Sequence, residues 1–262
     1  MKGMVIGELD SRRRKQVIIG GSSALLVLIG LSVFLIFFLK PVPTCTDGRQ
    51  NQGEEGVDCG GPCSLSCLEA RARPLHVLQK VEVLHVGTTN SSILLRVENS
   101  NSDIVARQFD YVVEAYDAQG NLLGRERGRS FIYAQEAKYL LIPNLTIPAR
   151  DIDRVEVTFE NPKWISHDAF PKPNVDIQSH RTLEEERVVK VKGIVVNKDS
   201  VTLPRVQVLA FIYGRYGALV GASYVELEDL LPKEARAFVI LHPALQNVAT
   251  KATKVVAYAL RP

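Results

Sequence analysis

The pattern of apolar residues divides the chain at one long uncharged run. Residues Val17 to Leu39 read VIIGGSSALLVLIGLSVFLIFFL and include no charged side chain. A helix rises about 1.5 Å per residue, so this run is long enough to cross the roughly 30 Å hydrocarbon core of a bilayer. The pattern therefore predicts a single transmembrane helix with a short N-terminal tail and a long C-terminal part.

The charges on the two flanks of this run predict its orientation. Four consecutive basic residues, Arg12 to Lys15, precede the run, whereas only Lys40 follows it directly. An excess of Lys and Arg favours the cytoplasmic side, so we expect a cytoplasmic N-terminus, an exported C-terminal part and a location in the cell membrane. A cleaved signal peptide is the alternative. It is disfavoured because the run is longer than a usual signal core and lacks a small-x-small cleavage site.

From about residue 74 the pattern changes to short β-rich segments separated by turns every 8 to 12 residues. Strands are predicted at residues 93–97, 111–116, 137–142 and 153–159, and again at 189–195, 206–213, 235–241 and 254–260. Hairpin turns at 117–121 and 214–218 return the chain onto further strands that begin at Leu122 and Leu219. No long stretch has the 3.6-residue period of an amphipathic helix. We therefore expect an all-β fold of the β-sandwich type.

This β-rich part also matches itself. Asn99 corresponds to Asn197 at an offset of 98, and Gly120 and Gly124 correspond to Gly217 and Gly221 at an offset of 97. A unit of about 90 residues is far too long for a solenoid repeat, so the match indicates a duplicated domain with two separate cores.

The predicted organisation follows from these boundaries. It comprises a cytoplasmic tail (1–16), a transmembrane helix (17–39), a Cys-rich stalk (40–73), a first β-sandwich (74–160), a linker (161–173) and a second β-sandwich (174–262). The linker is rich in proline and polar residues and is expected to be semi-rigid. Its Trp164 and Phe170 are expected to pack against one sandwich or to bridge both.

Net charge limits the classes of partner. The chain has 32 Lys+Arg and 29 Asp+Glu, and residues 1–40 hold six of the former and two of the latter, which leaves 26 against 27 in the exported part. A net charge of −1 argues against nucleic acid as a partner, since nucleic acid requires a clustered basic face.

All four cysteines, Cys45, Cys59, Cys63 and Cys67, lie just after the apolar run. Clustered cysteines in an exported segment predict disulfides, and four cysteines allow three pairings among which the sequence does not choose. The gaps of 13, 3 and 3 residues do not fit the paired C-x-x-C of zinc sites. Disulfides are therefore the favoured interpretation.

Oxygen-bearing side chains in the same segment raise the question of a cation. Asp47, Asn51, Glu54 and Asp58 are spaced along a Gly-rich loop, which makes them a weak calcium candidate. They lack the EF-hand spacing, and a solvated acidic loop is the favoured interpretation. We expect no metal and no cofactor.

No catalytic constellation is apparent. The five histidines have no metal-ligand spacing, and neither a G-x-S-x-G elbow nor a phosphate loop is present. We therefore do not expect an enzyme. Arg125, Arg127 and Arg129 alternate along one predicted strand, so they share a face that is a candidate for an anionic glycan or an acidic partner. A solvated face interrupted by Glu126 is the favoured alternative.

Two segments resemble known groups. The Cys-rich segment is similar to a short module of exported bacterial proteins, C-x-D-G-x-x-N-x-x-E-x-G-x-D-C-G-G-x-C, which it fills from Cys45 to Cys63. Asn99, the strand ending in Tyr116, and Gly120 resemble the FxLYD-type β-sandwich domain. So does the later edge beginning at Leu231, although Lys233 stands where Gly is usual. The resemblance implies immunoglobulin-like domains on a bacterial envelope protein without enzymatic activity, and it carries over no functional residue.

These observations together predict a single-pass envelope protein. We expect a non-enzymatic scaffold or assembly subunit that contacts other envelope proteins through its β-sandwiches. Surface recognition of a glycan or of another cell is the alternative.

Overall fold

The computed structural model describes residues 6–38 and 44–262, and the chain divides into two compact units, Met1–Cys67 and Leu68–Pro262. In the first unit, helix α1 spans Ile6–Phe38. Its segment Arg13–Ile36 has a mean hydropathy of 2.3, and the apolar residues of this segment are not buried against the rest of the protein. Among the described residues, α1 is the one helix that is long and apolar enough to cross a membrane.

Helix α1 extends further towards the N-terminus than the predicted span. It begins at Ile6, so residues 6–16 of the predicted tail are helical and the basic residues Arg12 to Lys15 belong to the helix. No proline interrupts this segment, and Glu, Leu, Arg and Lys all have high helix propensity. Leu39, the predicted last residue of the span, lies outside the described residues.

The second unit is almost entirely β-structure. A short helix α2 spans Cys67–Arg71, and a single 3-10 turn spans Ala149–Asp151. The strands of the first repeat are β1 (His76–Val77), β2 (Glu82–Val86), β3 (Asn90–Asn99), β4 (Ile104–Tyr116), β5 (Leu122–Ile132), β6 (Glu136–Leu145) and β7 (Arg154–Ser166). Those of the second are β8 (Val175–Glu185), β9 (Val188–Asn197), β10 (Leu203–Tyr213), β11 (Leu219–Leu230), β12 (Ala235–Pro243) and β13 (Lys254–Leu260).

Each repeat forms two antiparallel sheets that enclose a core. In the first repeat, β3 pairs with β1, β2 and β6, and β4 pairs with β5 and β7. In the second, β9 lies between β8 and β12, and β10 lies between β11 and β13. Buried side chains such as Ile93 and Phe109 fill the first core, and Val191 and Val206 fill the second. The all-β fold with two β-sandwiches is thus confirmed.

The two repeats use the same buried asparagine at the same corner. Asn99 Nδ2 donates to the carbonyls of Ile104 (2.8 Å) and Tyr133 (2.9 Å). Asn197 Nδ2 donates to the carbonyls of Val201 (2.9 Å) and Leu231 (3.0 Å). Each buried amide thus ties two separate segments of its corner together, which explains why the same residue is found at this position in both repeats.

The same corner contains a left-handed residue in each repeat. Gln135 has φ 52° and Lys233 has φ 61°, at the position where the resembled family usually has glycine. A neighbouring carboxylate secures the turn in both cases, because Glu136 accepts the amide of Tyr133 (2.9 Å) and Glu234 accepts that of Leu231 (2.7 Å). These bonds offset the cost of the left-handed backbone.

The predicted linker begins later than its prolines suggested. Strand β7 continues to Ser166, and Trp164 lies opposite Ala106 on β4 and packs against the first core. Pro162 is accommodated because it lies at a register shift, next to Asn161 with φ 51°. A proline at a bulge removes no ladder hydrogen bond. The connection between the sandwiches is therefore shorter than 161–173.

A third apolar cluster joins the two sandwiches, so the predicted pair of separate cores is incomplete. Leu94 and Leu141 of the first sandwich pack against Leu209 and Phe211 of the second. A second patch of the same interface gathers Val105, Phe131, Tyr133 and Phe170 with the partly buried Tyr258 and Leu260. Phe170, from the connection, thus bridges the two repeats, and the sheet formed by β10, β11 and β13 is covered on both faces.

Candidate functional site

The Cys-rich segment is held together by two disulfides. Cys45 pairs with Cys63, and Cys59 pairs with Cys67. Within the described residues, one group resembles a metal site by proximity, namely Cys45, Glu54 and Cys63, whose ligand atoms lie within 4.8 Å of one another. Both sulfurs are already bonded in a disulfide and offer no thiolate, so this group does not suit a metal ion.

The four calcium-candidate residues form a hydrogen-bond network with the loop backbone. Asp58 Oδ1 accepts the amide of Asp47 (2.9 Å), and Glu54 Oε2 accepts the amide of Asn51 (3.1 Å). Asn51 Nδ2 in turn donates to Asp47 Oδ2 (2.9 Å), a bond that, ahead of the local backbone bonds, lowers the pKa of Asp47. The carboxylates are thus used to hold the loop, and the buried Glu54 departs from the solvated loop that we favoured.

Two glycines of this segment are required by close approach. A Cβ on Gly61 would lie 2.2 Å from the carbonyl oxygen of Gly53, and Gly60 has φ +71°. The resembled module therefore specifies a turn, which is consistent with a structural role.

The arginine stripe lies on the exposed face of β5, and its charge is largely balanced. Arg125 pairs with Glu114 (2.9 Å) and Arg129 pairs with Asp110 (3.0 Å), both across to β4. The bond from Arg129 is the main reason that the pKa of Asp110 is lowered. Arg127 has no ion pair among the described residues. Among the described residues, one cation of the stripe is therefore without an ion pair, whereas the alternation alone suggested three available cations.

A cleft between the two sandwiches collects positive charge that the sequence analysis missed. Its volume is about 460 Å³. The basic side chains that line it come from both repeats and are Arg107, Arg129, Lys163, Arg205 and Arg261. Apolar groups, among them Phe131 and Leu260, complete the walls. We call this region the basic cleft. Its cations come from β4, β5, β7, β10 and the residue after β13, so no local sequence motif marks it.

Lys138 lies behind the basic cleft and is almost completely buried, with 2% of its surface exposed. Its Nζ donates to the carbonyl of Phe131 (3.2 Å) and lies 3.5 Å from the centre of the Phe131 ring. Burial is the main cause that lowers the pKa of Lys138 from 10.5 to about 7, against the attraction of Glu136. Glu136 itself is paired with Lys172 (2.6 Å).

The inner wall of the interface is fixed by tyrosine hydroxyls. Tyr133 Oη donates to the carbonyl of Ala259 (3.0 Å) and accepts the amide of Arg261 (3.1 Å), which links the first sandwich to the end of the second. Tyr258 Oη, from the second sandwich, accepts a hydrogen bond from the backbone amide of Tyr139 in the first (3.1 Å). Burial raises the pKa of Tyr258 to about 12, and it raises the pKa of Tyr133 as well. Both hydroxyls therefore remain protonated donors at neutral pH.

Three of the five histidines, His76, His180 and His242, have local contacts. His76 Nε2 lies 2.8 Å from Glu98, and the ring of His180 bonds to the carbonyl of Thr253 (3.0 Å). His242 is buried, which lowers its pKa, and its Nδ1 donates to the carbonyl of Pro243 (2.7 Å).

Comparisons with known proteins do not place the chain in a family. No protein-family model and no curated protein matches it. Solved structures with a partial likeness include red sea bream transglutaminase, with 11% identity, a TM-score of 0.20 and coverage of 74% of this chain and 32% of that one. This chain thus spans about a third of the transglutaminase.

Two further structures are similar at the same low level. The CBM22-1-CBM22-2 tandem domain of Paenibacillus barcinonensis Xyn10C has 9% identity and a TM-score of 0.15, and the match covers 72% of this chain and 87% of that one. Procruciferin, an 11S globulin from Brassica napus, has 8% identity and a TM-score of 0.16, and the match covers 73% of this chain and 86% of that one. At these TM-scores the likenesses carry no argument about function.

Proposed function

We propose that this protein is a non-enzymatic scaffold or assembly subunit of a cell envelope, anchored by α1 with its N-terminus in the cytoplasm. The basic flank of α1 supports the orientation. The two disulfides support export, because such bonds persist in oxidising compartments. The resemblance to FxLYD-type domains and to the bacterial surface module supports an envelope setting.

The observation that carries the proposal is an apolar edge strand. β12 is the last strand of the sheet β12-β9-β8, and its side chains alternate between core and solvent. Phe238 and Ile240 are buried, whereas Val239 is 47% exposed and Leu241 is 59% exposed. An edge strand has free backbone donors and acceptors, and apolar side chains beside them favour pairing with another chain.

The joined sandwiches suit the same role. The third apolar cluster joins the first sandwich to β10 and β11 of the second, and β12 packs into the core of that same second sandwich through Phe238 and Ile240. A rigid unit presents a contact surface without the ordering cost that a flexible pair of domains would pay on binding. The side chains beside Val239 and Leu241 are Lys192 and Lys190 on β9, and Lys190 is already paired with Glu185 (2.6 Å). An apolar strand with an acidic residue facing Lys192 is therefore the complementary surface.

In-cell photo-cross-linking followed by mass spectrometry tests the proposal. A photo-activatable amino acid is placed at Val239 and, as a matched exposed control, at Gln119 in the hairpin turn after β4. We expect one reproducible envelope protein to be captured by the photo-activatable residue at position 239 and not by the one at position 119. Adding Leu241→Asp to the protein that carries the photo-activatable residue at position 239 should abolish this capture. Equal capture from both positions, or capture that survives Leu241→Asp, would contradict an assembly role for β12.

Surface recognition remains the second candidate function, but on a set of residues that shares only Arg129 with the arginine stripe. Ion pairs to Glu114 and Asp110 occupy two of the three arginines that first suggested it. The basic cleft is the observation that now favours recognition of an anionic group.

A further inference from the structure

We propose that the basic cleft binds a multiply charged oxyanion of the phosphate class, carried on a small molecule with an apolar face. This site goes beyond the scaffold role, does not involve β12, shares only Arg129 with the arginine stripe, and requires both repeats to be present.

The charge in the cleft is not a consequence of a generally basic surface. The exported part has 26 basic and 27 acidic residues, yet five cations line this one cavity. Clustering like charges is unfavourable unless a counter-charge is bound. The concentration of cations therefore indicates a function for this cleft.

Few acidic groups neutralise these cations. Arg129 is paired with Asp110, and the closest approach of Arg261 to Asp199 is 3.9 Å, too long for a hydrogen bond. Arg107 lies over the ring of Phe170, with 5.3 Å between its guanidinium carbon and the ring centroid. Within the described part of the chain, Arg205 and Lys163 have no ion pair. Several donors are thus available to a ligand at neutral pH.

The interior behind the cleft adds a further uncompensated charge. Beside it lies a cavity of about 30 Å³, enough for one water molecule, that shares Phe131 and Arg205 with the cleft and is also lined by Lys138. The ammonium of Lys138 has one protein hydrogen bond for its three donors. The acidic side chain on this cavity is Glu226, which is also within 3.5 Å of Gln207. An anion in the cleft would lower the cost of this buried charge.

The donor set fits a phosphate group better than a single carboxylate. Guanidinium groups bind phosphate oxygens through two parallel hydrogen bonds, and Ser130 and Gln108 add neutral donors to the same walls. One carboxylate would neutralise one of the cations, whereas a phosphate ester carries nearly two charges at pH 7. Phe131, Pro204 and Leu260 provide the apolar contact for the rest of the ligand. The cavity volume lies in the range of small-molecule sites.

Isothermal titration of the full chain in detergent with inorganic pyrophosphate tests the inference, with malonate as a dicarboxylate comparator. The central variant is Arg205→Gln. Its matched control is Arg215→Gln, the same substitution at an exposed position in the hairpin after β10. We expect Arg205→Gln to weaken pyrophosphate binding about tenfold and Arg215→Gln to leave it unchanged. Raising the salt concentration should weaken binding by the wild type.

Lys163→Gln keeps the inference testable if Arg205→Gln does not fold. Lys163 is exposed, and its loss should weaken binding about threefold without changing the melting temperature. The inference is overturned if pyrophosphate does not bind, if malonate binds as tightly, or if Arg205→Gln and Arg215→Gln behave alike. None of these results bears on partner capture at β12, so the two proposals fail independently.

Discussion

Replacing Lys138 by methionine should stabilise the protein. The unbranched side chain of methionine fills a similar volume, and the substitution removes a charge from a side chain that is only 2% exposed to water. Buried ammonium groups without a paired carboxylate are costly, and Lys138 has no ion pair within the described residues.

The size of the effect follows from the pKa of Lys138. A fall from 10.5 to about 7 is roughly 3.5 units, and at about 1.4 kcal/mol per unit it corresponds to about 5 kcal/mol. The lost hydrogen bond to the Phe131 carbonyl offsets about 1 kcal/mol of this gain, and less efficient packing offsets a further part. We expect a net gain of about 3 kcal/mol at pH 6, or a rise in Tm of about 6–12 °C for a unit of this size.

The pH dependence distinguishes this cause from a simple packing effect. The folded protein binds fewer protons at Lys138 than the unfolded chain between pH 7 and pH 10.5, so wild-type stability should rise with pH across this window. Below pH 7 both states are protonated and the full penalty is present. The raised pKa values of Tyr133 and Tyr258 act in the opposite direction, since their stabilising contribution falls above pH 10. The window from pH 7 to pH 10 therefore reports mainly on Lys138.

Thermal melts by circular dichroism at pH 6, 7, 8 and 9.5 measure the effect. Lys138→Met should have a higher Tm than the wild type at pH 6, and the difference should shrink towards pH 9.5. Lys251→Met, at an exposed loop position, serves as the control for removal of one positive charge. If Lys138→Met lowers Tm at pH 6, or if its effect is the same at all four pH values, the ammonium is not the source of a desolvation penalty.

Two further substitutions test the corner and the interface. Asn197→Ala should cost about 2–4 kcal/mol in unfolding free energy, because it removes the hydrogen bonds of the amide to the carbonyls of Val201, Leu230 and Leu231. Lys198→Ala beside it, at an exposed position, should cost less than about 1 kcal/mol. Equal costs in urea titrations would disprove the role of the amide. Phe170→Ala should cost about 3–5 kcal/mol and split the guanidinium unfolding curve into two transitions, since it opens one of the two apolar patches that join the sandwiches. A single transition with unchanged slope would show that the sandwiches unfold together without this side chain.

The sequence predicted most of the strands, although it missed β1, β2 and β8, because each repeat alternates or clusters β-branched and apolar residues between glycine-containing turns. The hairpins at Gly120 and Gly217 have φ +85° and +80°, which explains why glycine marks both turns. The match between Asn99 and Asn197 reflects the same buried hydrogen bonds. These features are local, or depend on partners a few residues away, and are therefore visible in sequence.

The interface between the sandwiches could also have been predicted, from the sequence of strand β10. Residues Val208 to Ile212 on β10 form an unbroken apolar run, and Leu209 and Phe211 face the first sandwich while Val208 and Ala210 face their own core. An unbroken apolar strand indicates burial on both faces of a sheet. Two sandwiches with free outer faces are not consistent with such a strand.

The charged features required the fold itself. The arginine stripe on β5 is visible in sequence, but its neutralisation depends on the register that sets Glu114 opposite Arg125 and Asp110 opposite Arg129. The basic cleft assembles residues that are as far apart as Arg107 and Arg261. Neither arrangement follows from the spacing of charges along the chain.

The disulfides of the Cys-rich segment also determine how far it can be stretched. Under tension the shortest covalent route from Cys45 to Cys67 crosses the Cys45–Cys63 bridge, with Cα atoms 5.7 Å apart, and then follows residues 63–67. That route is about 20 Å long when extended, whereas the same segment without its bridges would reach about 75 Å. If residues 45–67 connect a membrane anchor to a bound partner, oxidation makes this connection short and inextensible, and reduction would let the β-sandwiches travel several times further from the bilayer.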